Sequence, residues 1–364
     1  MKTINIFAFP SHDTKDRTSG VDYARIIQPM KYLNGYKDDE VEFKVRTYSS
    51  KTDENNLSWD TITNENDIIY FNYTPNPWAF AAMGAMARKK GKLLILDLDD
   101  SLWDVMPDNP TFDAWKKGGE NIRNFTAICN EVDAVTTTNS YLKNVIVHNT
   151  RKRHEQISIF PNYVDLQVYN HVPKFKDTLE INLLHFGSTT HFIDLQNKEF
   201  EKGIDMIMKE YPNVRLITVG AMIGAYKHKW AQRYENSYGH QDLYTWVKER
   251  YPIFMDRADI CVVPLEDTLY NRCKSSIKYL EMSAAGKPGV FQDIRQYNEA
   301  IRHGVNGMLA RDSHGWYKAI KKLIDDKQLR QDMGLAAYDE VESKHQIQNH
   351  VKEYADYFKG LLNV

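Results

Sequence analysis

Short apolar runs alternate with amphipathic segments along this chain, break off once, and then begin again. The first set is INIFAF at 4–9, VEFKVRTY at 41–48, DIIYFNY at 67–73, LLILDL at 93–98, DAVTTT at 133–138 and ISIFPN at 157–162. Runs this short and this continuously apolar read as strands buried on both faces, the pattern of a parallel sheet. Between them, 22–33 and 78–90 read as helices, with Arg25 and Lys31 expected on the solvent side of the first. Strand alternating with helix implies right-handed crossovers and a doubly wound α/β unit.

The periodicity stops at PNYVDLQVYNHVPKFKDTLE, 161–180, where prolines, polar residues and charges read as a linker. It restarts with INLLHFG at 181–187, VRLITVG at 214–220, ADICVVPL at 258–265, KPGVFQ at 287–292 and NGMLAR at 306–311. Helices are expected at 197–211, 275–285 and 316–325. The organisation that follows is α/β, with two Rossmann-like doubly wound domains facing a cleft, residues 1–170 and 171–344. Residues 345–364, apolar at Val351, Tyr354, Tyr357 and Phe358, are expected to form a terminal helix packed on the body, with the N-terminal domain as one possible seat. Ligands of open α/β sheets bind beyond the carboxyl ends of the strands, so chemistry is expected in the cleft.

Composition narrows the partners. Forty-seven Lys and Arg against 49 Asp and Glu leave a formal charge of −2 over 364 residues, so charge does not indicate nucleic acid. Three widely spaced cysteines and twelve histidines without a His-Glu-x-x-His pair give no metal-site spacing, and no structural metal or cofactor is expected. The opening MKTINIFAFPSHD is too briefly apolar for a signal peptide and no later stretch could span a bilayer. A cytoplasmic protein is expected, with peripheral contact at a membrane surface as the variant.

The stretch NRCKSSIKYLEMSAAGKPGVF, 271–291, carries the most chemistry. A loop with Arg272, Lys274, Ser275 and Ser276 runs into a helix whose first turn offers free N–H groups and a positive dipole end, a place for phosphate. Lys274 and Lys278 could neutralise a diphosphate, and the Glu281 carboxylate could accept two sugar hydroxyls. The plainer alternative is an exposed i, i+3 ion pair between Lys278 and Glu281.

This segment resembles the donor-binding region of the family 4 glycosyltransferases (glycosyl transferases group 1) and their GT-B relatives. Glu281 takes the place of the ribose-binding Glu, Ala284–Pro288 that of a Gly-x-Pro turn, His303–Gly307 that of a Gly-x-Asn-Gly strand entry, and PNYVD at 161–165 that of a Pro-Asn-Gly-Val-Asp signature. The resemblance implies a glycosyltransferase that moves a sugar from a nucleotide-diphosphate sugar such as a UDP- or GDP-sugar, without metal, to a saccharide, lipid-linked or other acceptor hydroxyl. It also implies donor contacts from Gly187, Ser188 and His191 in HFGSTTHFIDL, 185–195, and from Gly20 after the first strand. Two departures stand out: Cys273 occupies the first position of the family's Glu-x7-Glu pattern, and 185–195 lacks the usual basic pair.

A second motif, LLILDLDDSLWD at 93–104, drives a strand into Asp97, Asp99 and Asp100. By the same resemblance Asp99 and Asp100 face the sugar, as base or orienting group, since paired partly buried carboxylates have raised pKa values. The same acids resemble the opening motif of haloacid-dehalogenase-type phosphatases, with Asp97 as nucleophile, Asp99 as acid and base, and Mg²⁺ bound. A catalytically degenerate sugar-nucleotide-binding protein is the remaining alternative.

Overall fold

In a computed structural model the chain is described at residues 1–10, 18–49, 53, 57–73, 77–169, 173, 175, 179–187, 191–220, 229–230, 232–237 and 246–364. Two six-stranded sheets divide it. The first holds β1 (Lys2–Phe9), β2 (Val41–Thr47), β3 (Ile68–Asn72), β4 (Leu93–Leu98), β5 (Ala134–Thr137) and β6 (Ile157–Ile159), ordered β2-β1-β3-β4-β5-β6. The second holds β7 (Ile181–Gly187), β8 (Val214–Gly220), β9 (Tyr234–Ser237), β10 (Ile260–Val263), β11 (Gly289–Gln292) and β12 (Met308–Ala310), ordered β12-β11-β10-β7-β8-β9. Every ladder is parallel.

Successive residues of one strand feed opposite cores, which is why the strands read as unbroken apolar runs. Ile6, Ile68 and Tyr70 join a cluster with Val351, Tyr354 and Phe358, whereas Phe7, Ile69 and Phe71 join another with Leu94, Leu96 and Phe125. The terminal helix Val351–Leu361 lies on the first of these faces, with Phe358 edge-on to Tyr70 at 5.7 Å and Tyr354 stacked on Phe160 at 4.3 Å. In both sheets the strand order reverses next to the first strand of the unit, between β1 and β3 and between β7 and β10, the places where a crevice opens.

Three points depart from expectation here. Strand β9 reads as polar Tyr-Glu-Asn-Ser, so it carried no apolar signal; as an edge strand on β8 it needs little apolar surface. Arg25 does not face solvent. The helical run from Gly20 to Leu33 contains a π segment, Tyr23–Ile27, whose wider turn rotates the following face. Its Arg25, 1% exposed, grips the fully buried Asp97 at the end of β4 with two bonds of 2.8 Å and donates to the Phe160 carbonyl at 2.7 Å and to Asn162 at 2.9 Å. Asp97 also accepts from Tyr70 and Thr136. The helix expected at 275–285 is shorter, Ile277–Ser283, because Gly286 takes φ +64° and turns the chain away.

Removing one partner of a buried, hydrogen-bonded ion pair leaves an uncompensated charge in the core. Arg25→Met should therefore lower unfolding stability by about 3–5 kcal/mol in urea titration, and adding Asp97→Leu to that variant should restore part of the loss.

Candidate active site

Two strand ends and one helix assemble the second-sheet half of the site. The helix Ile277–Ser283 brings Lys278 and Glu281 beneath the carboxyl end of β7. Lys278 donates to the Phe186 carbonyl at 2.9 Å and lies over the Phe186 ring at 5.1 Å. Burial pushes its pKa down to about 8, with Glu281 opposing the shift and Lys274 adding to it. Glu281 accepts a 2.8 Å bond from Tyr169, which comes from the segment between the two sheets, and burial raises its pKa. Among the described residues Lys278 and Glu281 make no ion pair within 4 Å, so the exposed i, i+3 pair is not what the helix presents.

Gly187 ends β7, and a Cβ there would lie 2.9 Å from the His191 ring, so the glycine permits that approach. His191 Nδ1 meets Asp194 at 2.8 Å, and Asp194 is itself held by the Glu266 amide at 3.1 Å and Asn271 at 2.9 Å. Burial and the two nearby lysines keep His191 neutral. Its neighbour His185 bonds the Val262 carbonyl at 2.9 Å while its Nε2 is buried without a partner. Lys274 sits over the Tyr270 ring at 5.0 Å. Ser275 accepts from Asn162 at 2.7 Å, and Ser276 precedes the helix as its N-cap residue. Ser188 lies outside the described residues.

Arg272 and Gly20 stand apart from this group. Arg272 is bonded bidentately to Asp267 at 2.6 and 2.9 Å and faces another cavity. Gly20 is exposed at the start of its helix, where a Cβ would meet nothing within 4 Å, so close approach of backbone is not what a glycine provides there. Cys273 is buried against the core of the first sheet, and its carbonyl accepts from Asn139 at 2.7 Å.

Across the cleft, Asp99 and Asp100 follow β4. Tyr73 donates to Asp99 at 2.6 Å, and Tyr270 of the second unit donates to Asp100 at 3.1 Å. Burial, then the charge of Asp100, raises the Asp99 pKa to about 7. Asp97, by contrast, is spent on Arg25, Tyr70 and Thr136 with no exposure. It cannot attack a phosphoester from there, which removes the phosphatase reading's nucleophile. Among the described residues no group of three or more His, Cys, Asp or Glu could hold a metal ion.

Residues 192–326, which include Asp194, Lys274, Lys278 and Glu281, match the family model described as Glycosyl transferases group 1. The fold is GT-B, and the likeness to the group 1 glycosyltransferases lies in the second unit. The GT-B fold is similar to that of HepE from Anabaena in complex with UDP and glucose, at 15% identity and TM-score 0.64 over 98% of this chain and 99% of that one. It is also similar to sucrose-phosphate synthase from Thermosynechococcus elongatus, at 14% identity and TM-score 0.63 over 100% of both chains. A glycosyltransferase from Rickettsia africae matches at 12% identity and TM-score 0.60 over 99% of this chain and 98% of that one. No curated protein matches the chain in sequence. No described helix of this chain is long and apolar enough to cross a membrane.

Tyr73, Tyr169, Asp194 and Tyr270 complete the cluster without any sequence signal that separates them from other tyrosines and acids. A carboxyl whose folded pKa is raised binds a proton that the unfolded chain has released, so it lowers stability as pH rises from its ordinary 3.8 through about 7. The melting temperature of Asp99→Asn relative to wild type should therefore climb between pH 4.5 and 7.5; a constant offset across that range would contradict the assignment.

Proposed function

We propose that this chain is a glycosyltransferase that binds a nucleoside-diphosphate sugar on its second unit and transfers the sugar to an acceptor hydroxyl held between the two units. The observation that carries the reading is a run of contacts joining both halves of the cleft: Asp99–Tyr73 and Asp100–Tyr270, with Lys274 on the Tyr270 ring. It sets a carboxylate pair opposite Lys274, Lys278 and Glu281. In this reading Glu281 accepts the ribose hydroxyls, exchanging its Tyr169 bond for them or sharing it. Lys274 and Lys278 face the diphosphate, with the amides after Ser275 and Ser276, Gly187 and His191 beside it.

The acceptor oxygen bonds to the anomeric carbon as the bond from that carbon to the phosphate oxygen breaks, and the electron pair leaves on the diphosphate. Lys274, Lys278 and the helix start stabilise that charge, so the step calls for no metal. The hydroxyl proton passes to Asp99 or Asp100; a group with a pKa of about 7 is matched to that transfer at neutral pH. Closure of the two units would exclude water and align the reacting atoms.

The HepE structure with UDP and glucose supports testing UDP first. A ligand that binds only the folded state raises the melting temperature. UDP or GDP should do so with or without Mg²⁺, and Glu281→Ala should abolish at least about 90% of that affinity, as expected for a charged hydroxyl acceptor removed from its site. Unchanged affinity in Glu281→Ala, or silence from every nucleoside diphosphate, would overturn the assignment.

A further inference from the structure

A cavity of about 540 Å³ opens at the carboxyl ends of β11 and β12, and its lining includes none of Glu281, Lys274, Lys278, Gly187 or His191. Asp293 and Arg295 reach it from the end of β11, Arg311 from the end of β12, and Arg272 from the segment after β10, while Tyr141 enters from the first unit. Its size falls within the range of small-ligand sites.

The charges in this cavity cancel. Three arginines, Arg272, Arg295 and Arg311, face three carboxylates, Asp267, Asp293 and Glu299. Two pairs are already matched, Arg272 with Asp267 at 2.6 Å and Arg295 with Glu299 at 2.9 Å. Three groups are left over. Arg311 and Asp293 have side chains without a bond among the described contacts, and Arg295 Nε is shut off from solvent with no partner. Tyr141 lies beside the arginines, with the Arg295 guanidinium over its ring at 5.3 Å. Arg295 also reaches Asn139 of the first unit at 3.1 Å, so both units build the wall.

A polyanion would meet three carboxylates here and a cation three arginines. Closely spaced hydroxyls, each a donor and an acceptor, suit interleaved guanidinium donors and carboxylate acceptors without bringing in a charge. We propose that this cavity binds an uncharged saccharide, the acceptor chain of the transfer, with Asp293 accepting from and Arg311 donating to its hydroxyls. The proposal rests on the glycosyltransferase reading and names the substrate class. It also gives Arg272 a different task from the donor contact expected of it, as part of the acceptor wall.

The test uses the full chain as wild type and as Asp293→Asn/Arg311→Gln, two side chains that make no hydrogen bond or ion pair among the described residues, so folding should persist. Each protein is applied to a printed array of neutral, uronate-bearing and sulfated glycans, and its melting temperature is measured with UDP and with GDP. The expected result is that wild type retains neutral glycans, that the double variant loses about tenfold or more of that binding, and that the nucleotide shift is the same in both. Retention confined to anionic glycans, glycan binding undiminished in the double variant, or no glycan binding beside an intact nucleotide shift would each overturn the proposal. Neutral-glycan binding that depends on Asp293 and Arg311 in a protein silent to nucleotides would sustain it and count instead against the donor site.

Discussion

The buried Arg25–Asp97 pair is the constraint on which the cleft depends. Desolvating two charges is costly, and the cost is met here because nearly every polar atom finds a partner: Asp97 takes Arg25, Tyr70 and Thr136, and Arg25 takes the Phe160 carbonyl and Asn162. One geometry satisfies all of them. It fixes the end of β4, and so the exit of Asp99 and Asp100 toward the second unit. It also fixes Asn162, whose amide nitrogen donates to Ser275 at 2.7 Å. A carboxylate in the core of one sheet is thus connected through two side chains to the loop expected to meet phosphate on the other.

Burial works against the charged form of one group on each side of the cleft. On one side burial raises Asp99 to about 7, and on the other burial lowers Lys278 to about 8. Each group sits where its charged form is disfavoured until something of opposite charge arrives. A diphosphate entering between Lys278 and Lys274 would favour the ammonium form of Lys278, which turns its desolvation into affinity for an anionic donor. His191, neutral between the same lysines and oriented by Asp194, belongs to that balance.

The strands were legible because both faces of each parallel sheet are covered, so burial is written as a continuous apolar run; β9, polar and at an edge, carries no such mark. Lys274, Lys278 and Glu281 were legible because a helix start brings them together within eight residues of sequence. Arg25 was not: in sequence it is a charge on an amphipathic helix, and only the π segment and a carboxylate 72 positions away turn it inward. Asp97 was misleading for the same reason, since its place in DLDDS resembles a nucleophile's until its partners are seen.

The sequence by itself determined two doubly wound α/β units and the local grouping of cations and carboxylates at strand ends, because these follow from period and short spacing. Only the tertiary structure decided which charges face the cleft and which are locked in the core, that Tyr270 and Asn162 bridge the units, and that Arg272 turns to a second cavity. Those outcomes depend on partners separated by a hundred residues or more in several cases, and contacts at that range leave no pattern in a single chain until folding brings their surfaces together.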